Sequence, residues 1–193
     1  MTSADVTYER YEGAMAAERL DSFLPAYEEI YREPPYSEGP SDIAQFIEHY
    51  VVHTRRPGMR LVLATNAGEV IGFTYGFLLP SDTGWWTNLD RSLPEEWTRE
   101  TGARTWAVIE LAVRKQWRRR GIAAALHAAL LDELKVERVT LTVRPEPSAA
   151  PAQSAYQAWG YRSVGMVQPW EGAPVYTAMV LALAKPATET AVP

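Results

Sequence analysis

The chain has 193 residues and a formal net charge of −5 at pH 7, an acidic balance that argues against broad binding to nucleic acid or to an anionic membrane surface. No apolar run reaches the roughly 20 residues needed to span a bilayer, and the start of the chain lacks the pattern of a signal peptide, so we expect a cytoplasmic protein. The chain contains no cysteine, which excludes disulfides, thiolate metal sites and a cysteine nucleophile.

Hydrophobic periodicity and turn residues predict the elements of the first half of the chain. They are a strand at 5–11, a helix at about 20–31, a loop at 33–40, a second helix from Ser41 to the break at Pro57, and a hairpin at 59–79. Asp21 or Ser22 is the expected cap of the first helix, and Ser41 is the expected cap of the second. The hairpin turn is expected at Asn66-Ala67-Gly68.

The second half begins with an insert that contains proline and tryptophan, and then alternates strands with helices. Its predicted elements are the insert at 80–105, a buried strand at 106–113, a helix from Gly121 to about Lys135, a strand at 138–145, a short helix ended by Gly160, and strands at 162–166 and 175–183. This order predicts an α/β fold with a mixed sheet and helices on its faces. The length supports one hydrophobic core, so we expect a single domain over 1–184 followed by a flexible tail at 185–193.

Five positive charges occupy the seven positions 114–120, directly before Gly121 and an apolar run. Cations are disfavoured at the N-terminus of a helix, by about 0.3 to 1 kcal/mol each. A bound anion would reverse that effect, because the unpaired backbone N–H groups of the first turn point at it and arginine side chains bind phosphate oxygens. Neither the P-loop nor the dinucleotide fingerprint follows the strand. The pattern therefore favours a phosphate group at the start of this helix.

The stretch RRRGIA (118–123) matches the motif Q/R-x-x-G-x-G/A, which follows the fourth strand in the GNAT superfamily of acyl-CoA-dependent N-acetyltransferases. The stretch AYQAWGY (155–161) resembles a later signature of that family, in which a tyrosine is followed by three residues, a glycine and an aromatic residue. The order of elements over 5–184 is also similar to that of the family. The resemblance thus covers nearly the whole chain.

The resemblance implies a single GNAT-like domain with a central, mixed, mostly antiparallel and twisted sheet of six to seven strands, flanked by about four helices. It also implies acetyl-CoA as the cofactor, with its pantetheine arm paired to the strand backbone and its pyrophosphate held at the helix start. The implied cofactor-binding residues are Leu111, Ala112 and Val113 for the arm, and Arg118, Arg119, Arg120, Gly121, Ile122 and Ala123 for the pyrophosphate. The alternatives are a solvated charge cluster and an RNA-binding patch, the latter with Trp117 as its one nearby aromatic residue.

Acetyl transfer to an amine needs a proton donor for the departing thiolate and an acceptor for the amine proton. Tyr156 is the candidate acid, because relatives often carry such a tyrosine at its position; the alternative is a tyrosine that packs on the sheet. Glu110 is the candidate base, because it is the sole carboxylate in an apolar strand; the alternative is an ion pair with an arginine. The resemblance assigns oxyanion stabilisation to the backbone N–H of Val113. The position at which relatives often carry a cofactor-binding asparagine is Ala149 here.

The three histidines do not indicate a metal site. His49 and His53 are four residues apart on one predicted helix, but no third ligand accompanies them, so we expect a solvated pair. His127 is expected on the surface of the helix that follows Gly121. We therefore predict no bound metal.

Acceptor selectivity is expected from the loop at 33–40, the insert at 80–105 and the turn near 168–176, which are rich in aromatic residues. The candidate substrate-binding residues are Tyr36, Trp85, Trp86 and Trp170. With nearby carboxylates they would suit a small cationic or partly aromatic amine. The alternative, that the tryptophans pack the insert or a contact between copies in a homodimer, is equally favoured.

These observations predict an enzyme that moves an acetyl group from acetyl-CoA to a primary amine of a small molecule. Because the chain has no cysteine to carry an acyl group, the amine is expected to attack directly in a ternary complex. Two alternatives stay open: acetylation of a protein or peptide amine, and a non-catalytic module that binds acyl-CoA. Neither nucleic acid nor a membrane is an expected partner.

Overall fold

The structure, a computed structural model, describes residues 5–183, which form seven strands and six α-helices. The strands are β1 (Val6–Glu12), β2 (Arg60–Asn66), β3 (Glu69–Leu78), β4 (Thr105–Val113), β5 (Arg138–Val143), β6 (Arg162–Val167) and β7 (Tyr176–Ala182). The helices are α1 (Gly13–Ala17), α2 (Leu20–Tyr31), α3 (Pro40–His53), α4 (Glu95–Thr98), α5 (Ile122–Leu131) and α6 (Ala150–Ala158). The α/β class and the strand count are confirmed, and the short α1 and α4 bring the helices above the expected four. The predicted tail at 185–193 lies outside the described residues.

The chain divides into two units, each of which has its own strands. The first unit comprises 5–78 and 107–134 and contains β1, β2, β3 and most of β4, in that spatial order. The second unit comprises 79–106 and 135–183 and contains β5, β7 and β6, in that spatial order. The pairings of β1 with β2, β2 with β3, β5 with β7 and β6 with β7 are all antiparallel.

The β2–β3 hairpin confirms its predicted turn. Ala67 and Gly68 both have positive φ, at 50° and 83°. A two-residue hairpin turn with positive φ at both positions is favoured because its twist matches the right-handed twist of the two strands.

In contrast, the predicted caps of α2 and α3 are wrong. Helix α2 follows Arg19 and has no side-chain cap, which excludes both Asp21 and Ser22 from that role.

Helix α3 starts one residue before the cap that the sequence predicts. Gly39 is its N-cap, and the Gly39 N–H donates to Asp42 Oδ2 at 2.8 Å. Pro40 occupies the first helical position, where the missing N–H of proline costs nothing and its fixed φ suits the helix. Ser41 is therefore the second residue of α3, and the prediction of Ser41 as the cap is wrong.

The sheet of the first unit has a different layer on each face. Helices α2 and α3 cover one face with aromatic rings: Phe23 lies 4.8 Å from Phe73 on β3, and Tyr27 stacks on Phe46 at 3.6 Å. Helix α5 packs over β1, β2 and β3 on the other face. A Cβ on Gly72 would lie 2.9 Å from the Ala112 carbonyl oxygen, so this close approach between β3 and β4 requires glycine.

In the second unit, the long insert is tied to β5 through Arg138. The Arg138 guanidinium lies 4.1 Å from the centroid of the Trp97 ring and 5.0 Å from that of Trp86, and it donates to Glu100 Oε1 at 2.7 Å. Both charged side chains are almost fully buried. A buried pair of this kind is costly to break, because the remaining charge would be left without a partner.

Helix α5 ends at Leu131, one turn before the predicted end. The prediction that His127 lies on the surface of this helix is wrong. His127 is 7% exposed, and burial lowers its pKa to about 4. The fold therefore favours neutral His127, whereas the unfolded chain takes up a proton near pH 6.5. The stability due to neutral His127 is present above pH 6.5 and is lost as the pH falls toward 4.

We expect the His127→Gln variant to lose less stability than the wild type between pH 6.5 and pH 4. Midway between these pH values the difference in slope should approach about 1.4 kcal/mol per pH unit, which corresponds to one proton. Urea denaturation at several pH values measures it. His49→Gln is the matched control, because His49 is exposed on α3 and its variant should follow the wild type. Equal slopes for His127→Gln and the wild type would contradict the assignment.

Candidate active site

The loop between β4 and α5 is fixed by one buried aromatic residue and two residues with positive φ. Trp117, in a short 3-10 turn, is 7% exposed, and the Arg120 guanidinium lies 5.1 Å from the centroid of its ring. Arg119 and Gly121 have φ of 63° and 79°. This conformation strains most side chains but not glycine, so Gly121 is suited to turn the chain into α5.

The crowding of cations in this loop is partly relieved by carboxylates of the same unit. Arg114 pairs with Glu29 on α2 and, at 3.3 Å, with Glu69. Arg118 pairs with Glu33 at 3.0 Å and also donates from Nε to the Val113 carbonyl oxygen. The other three cationic side chains are exposed and form no ion pair with a described residue: Lys115, Arg119 and Arg120.

The N-terminus of α5 is open and lined with hydrogen-bond donors. None of the backbone N–H groups of 119–124 donates a hydrogen bond to another residue in the part of the chain that the structure describes, and the first such bond runs from the Ala125 N–H to the Gly121 oxygen. A Cβ on Gly121 would meet no atom within 4 Å. Open donors at the positive end of a helix fit an anionic group.

Glu110 lies on β4 and faces helix α2. Its Oε2 accepts a hydrogen bond from the Tyr31 hydroxyl, and its carbonyl oxygen accepts one from the Thr74 hydroxyl at 2.7 Å. Burial raises the pKa of Glu110 to about 8; the Tyr31 hydrogen bond opposes this rise and the Glu38 charge adds to it. No described arginine or lysine pairs with Glu110, so the structure offers a tyrosine partner in place of the ion pair considered from the sequence.

Two neighbours of Glu110 were not evident from the sequence as parts of a site. Tyr27 lies one helical turn before Tyr31, the two rings stack at 4.4 Å, and the Tyr27 hydroxyl donates to Glu38 Oε2 at 2.8 Å. Helical spacing predicts both tyrosines only as core residues. One feature of the sequence could have indicated a site here: the core-facing side of α2 carries two tyrosines, whose hydroxyl groups need polar partners, where phenylalanine would be enough for packing. Tyr36, a predicted substrate residue, is 41% exposed and lies 4.8 Å from Tyr31.

Tyr156, the predicted acid, lies in the second unit on α6. It is 9% exposed and makes edge-on contacts with Trp159 and Tyr161 at 5.6 Å and 5.7 Å between ring centroids. Gly160, with φ of 96°, ends the helical segment as the sequence predicts. Tyr156 is thus held in a packed aromatic group.

The predicted substrate tryptophans, which also lie in the second unit, differ in exposure. Trp86 is buried and donates from Nε1 to Glu100, so it packs within the insert. Trp85 is half-buried and donates to the Thr140 hydroxyl at 3.2 Å. Trp170 is 61% exposed. Exposure therefore leaves Trp170 and part of Trp85 accessible to a ligand.

The histidine pair does not extend into a metal site. His49 is exposed, whereas His53 Nδ1 lies 3.2 Å from the Tyr75 hydroxyl. Among residues 5–183, no group of three or more histidine, aspartate or glutamate side chains is arranged to hold a metal ion. The helices in the same range are also too short or too polar to cross a membrane.

Comparison with known proteins identifies a family and a fold. The model of the acetyltransferase (GNAT) family matches residues 20–161. No curated protein matches the chain. A GNAT-family protein from Desulfovibrio desulfuricans has a similar structure, with a TM-score of 0.63 and 14% identity over 93% of this chain and 99% of that one.

Two further solved structures are similar. An acetyltransferase from Thermus thermophilus has a TM-score of 0.57 and 18% identity over 95% of this chain and 100% of its own. The PaiA N-acetyltransferase from Thermoplasma acidophilum, solved in complex with coenzyme A, has a TM-score of 0.59 and 11% identity over 92% of this chain and 99% of its own. These likenesses show a shared fold, and the family match covers most of the chain. The chain belongs to the GNAT family of acetyltransferases.

Proposed function

We propose that this protein transfers an acetyl group from acetyl-CoA to a primary amine of a small molecule, by direct attack of the amine in a ternary complex. The observation that carries the proposal is the open, donor-lined N-terminus of α5 at Gly121, which fits the pyrophosphate of coenzyme A. The family match and the coenzyme A complex of a protein with the same fold support this choice of anion.

Different residues of the first unit would bind different parts of coenzyme A. The backbone N–H groups of 119–124 would bind the pyrophosphate, together with the exposed side chains of Arg119 and Arg120. The Arg118 side chain is engaged by Glu33 and the Val113 oxygen, so we assign it to shaping the loop. The backbone of Leu111–Val113 would pair with the pantetheine arm. Bound acetyl-CoA supplies the acetyl thioester.

Glu110 would accept the proton that the amine loses. An amine attacks only when it is neutral, and a carboxylate with a pKa of about 8 is a stronger base than an ordinary glutamate. The backbone N–H of Val113 would stabilise the oxyanion. Because the Arg114 N–H bonds to the Ile71 oxygen on β3, alternation along the strand directs the Val113 N–H away from β3.

Replacing Tyr156 with phenylalanine should lower kcat by about tenfold if Tyr156 protonates the departing thiolate. The expected loss is smaller than the 10²- to 10⁴-fold typical of general acids, because a thiol with a pKa near 8.5 leaves readily as a thiolate. The loss should shrink as the pH rises toward about 10, the reference pKa of a tyrosine hydroxyl, because an ionised tyrosine cannot donate a proton. Free thiol release measures kcat, and Tyr8→Phe, at a partly exposed tyrosine on β1, is the control. A loss that stays constant with pH would contradict an acid role.

A panel of acceptors tests the proposed function directly. Purified protein and acetyl-CoA are incubated with polyamines, amino sugars, arylalkylamines and short peptides with a free N-terminus, and thiol release is recorded. We expect the highest kcat/KM with a small cationic amine. Release with peptides alone would favour the second candidate acceptor, and coenzyme A binding without any release would favour a non-catalytic module.

A further inference from the structure

We propose that Tyr31 and Glu38 are positioning residues for Glu110: Tyr31 fixes the Glu110 carboxylate through a hydrogen bond, and Glu38 supplies a second negative charge beside it. This inference rests on the proposed role of Glu110 as the base. It gives the last turn of α2 and the loop that follows it a role in the site. Neither the motif at 118–123 nor the family match indicates such a role.

Tyr31 is held so that its hydroxyl can serve only Glu110. The ring is 8% exposed and lies between Tyr27, at 4.4 Å, and Tyr36, at 4.8 Å. Its hydroxyl donates to Glu110 Oε2, whereas Oε1 accepts no hydrogen bond from a described residue. The carboxylate is thereby oriented with one oxygen occupied and the other open to a proton.

The two ion pairs of the loop after β4 fix α2 relative to Glu110. Arg114 pairs with Glu29, and Arg118 pairs with Glu33, which are one helical turn apart on and just beyond the end of α2. Tyr31 lies between these two carboxylates in sequence. The arginines that precede Gly121 therefore set the distance between Tyr31 and β4 as well as the shape of the loop.

Glu38 is brought back to this site by a hydrogen bond from its N–H to the Tyr31 oxygen, at 2.9 Å. Its carboxylate accepts from Tyr27 and, like Glu110, pairs with no described cation. The titratable groups that face Glu110 are Tyr27 and Tyr31 from α2, Glu38 from the loop and Tyr75 from β3. Three of the four are tyrosines with pKa values raised by burial, so of these groups Glu38 is the one whose carboxylate can add a negative charge beside Glu110, although burial raises the pKa of Glu38 as well.

The two positioning residues should move the titration of Glu110 in opposite directions. In Tyr31→Phe the ionised carboxylate loses its donor, so the pKa of Glu110 should rise by about one unit. In Glu38→Gln a neighbouring negative charge is removed, so the pKa of Glu110 should fall by about half a unit to one unit. A merely structural role would not produce shifts of opposite sign.

Infrared spectroscopy measures this titration without substrate, through the C=O stretch of the protonated carboxyl, which is assigned by its absence in Glu110→Gln. The control is Tyr50→Phe, because the Tyr50 hydroxyl is buried on the same aromatic face but donates to the Ala16 carbonyl oxygen at 2.7 Å. That variant should titrate like the wild type.

The outcomes separate this inference from the proposed function. If the infrared titration shifts in opposite directions in the two variants, and the pH profile of kcat/KM shifts in the same way, both the positioning role and the proposed function are supported. An unchanged Glu110 titration in Tyr31→Phe and Glu38→Gln would overturn the positioning role, whatever the activity. Infrared shifts that the kcat/KM profile does not follow would overturn Glu110 as the base and leave its hydrogen bond to Tyr31 standing.

Discussion

Glu110→Gln should lower kcat by about a thousand-fold while coenzyme A binding changes little. A positioned general base contributes about 10²- to 10⁴-fold to a proton-transfer step, and glutamine keeps the shape of the side chain but cannot accept the proton. Because the Tyr31 hydroxyl can still donate to the amide oxygen of glutamine, the packing around β4 should be preserved. Thiol release under saturating substrate measures kcat, and calorimetry measures coenzyme A affinity.

The pH dependence of this loss gives the sharper test. With a pKa of about 8, about one tenth of Glu110 is ionised at pH 7, so the activity that depends on it should rise with pH through about 8. The amine acceptor also becomes neutral as the pH rises, which affects wild type and variant equally. The ratio of wild-type to Glu110→Gln kcat/KM therefore isolates Glu110. A ratio that does not change between pH 6 and pH 9 would contradict its role as the base.

Urea denaturation of Glu110→Gln tests whether misfolding causes the loss of activity. The folded pKa of Glu110 lies above its unfolded value, so between about pH 4.5 and pH 8 the folded chain binds more protons and stability falls as the pH rises. Above pH 8 the fold carries the full cost of a desolvated carboxylate. The neutral glutamine avoids that cost, so at pH 9 the variant should unfold at the same or a higher urea concentration than the wild type.

The parts of this site that the sequence predicts are local in the chain. Gly121, the cations before it and the apolar helix after it lie within a few residues, so their geometry follows from backbone preferences and the pattern of the helix start. Even local signals fail where neighbouring residues compete: Ser41 is a good cap by residue type, but Pro40 fits the first helical position and moves the cap to Gly39.

The parts that the sequence did not predict depend on contacts between distant positions. Tyr31 and Glu110 are 79 residues apart, and Arg114 and Glu29 are 85 apart. Whether a carboxylate in an apolar strand meets an arginine, a tyrosine or nothing is decided by which helix packs on that face of the sheet. His127 shows the same limit, because its burial reflects the packing of α5 and not its local sequence.

Gly121→Asp should weaken coenzyme A binding by about 100-fold, whereas Gly121→Asn should weaken it by less than about tenfold. Aspartate and asparagine have the same shape and both tolerate the left-handed conformation that Gly121 adopts, so backbone strain is matched between them. The difference is one negative charge at the mouth of α5. Two like charges near 4 Å at a protein surface repel by about 4 kcal/mol before screening, and each 1.4 kcal/mol is tenfold in affinity.

The controls locate this effect at the pyrophosphate. Gly68 has a similar φ of 83° and open space around it, but it lies in the β2–β3 turn, so Gly68→Asp should bind coenzyme A like the wild type. With S-acetylpantetheine, which lacks the pyrophosphate, Gly121→Asp and the wild type should have similar kcat/KM. Calorimetry and thiol release measure the two quantities. Equal losses for Gly121→Asp and Gly121→Asn, or a loss with S-acetylpantetheine as large as with acetyl-CoA, would show that the α5 N-terminus does not hold the pyrophosphate, and the cations before Gly121 would then need another explanation.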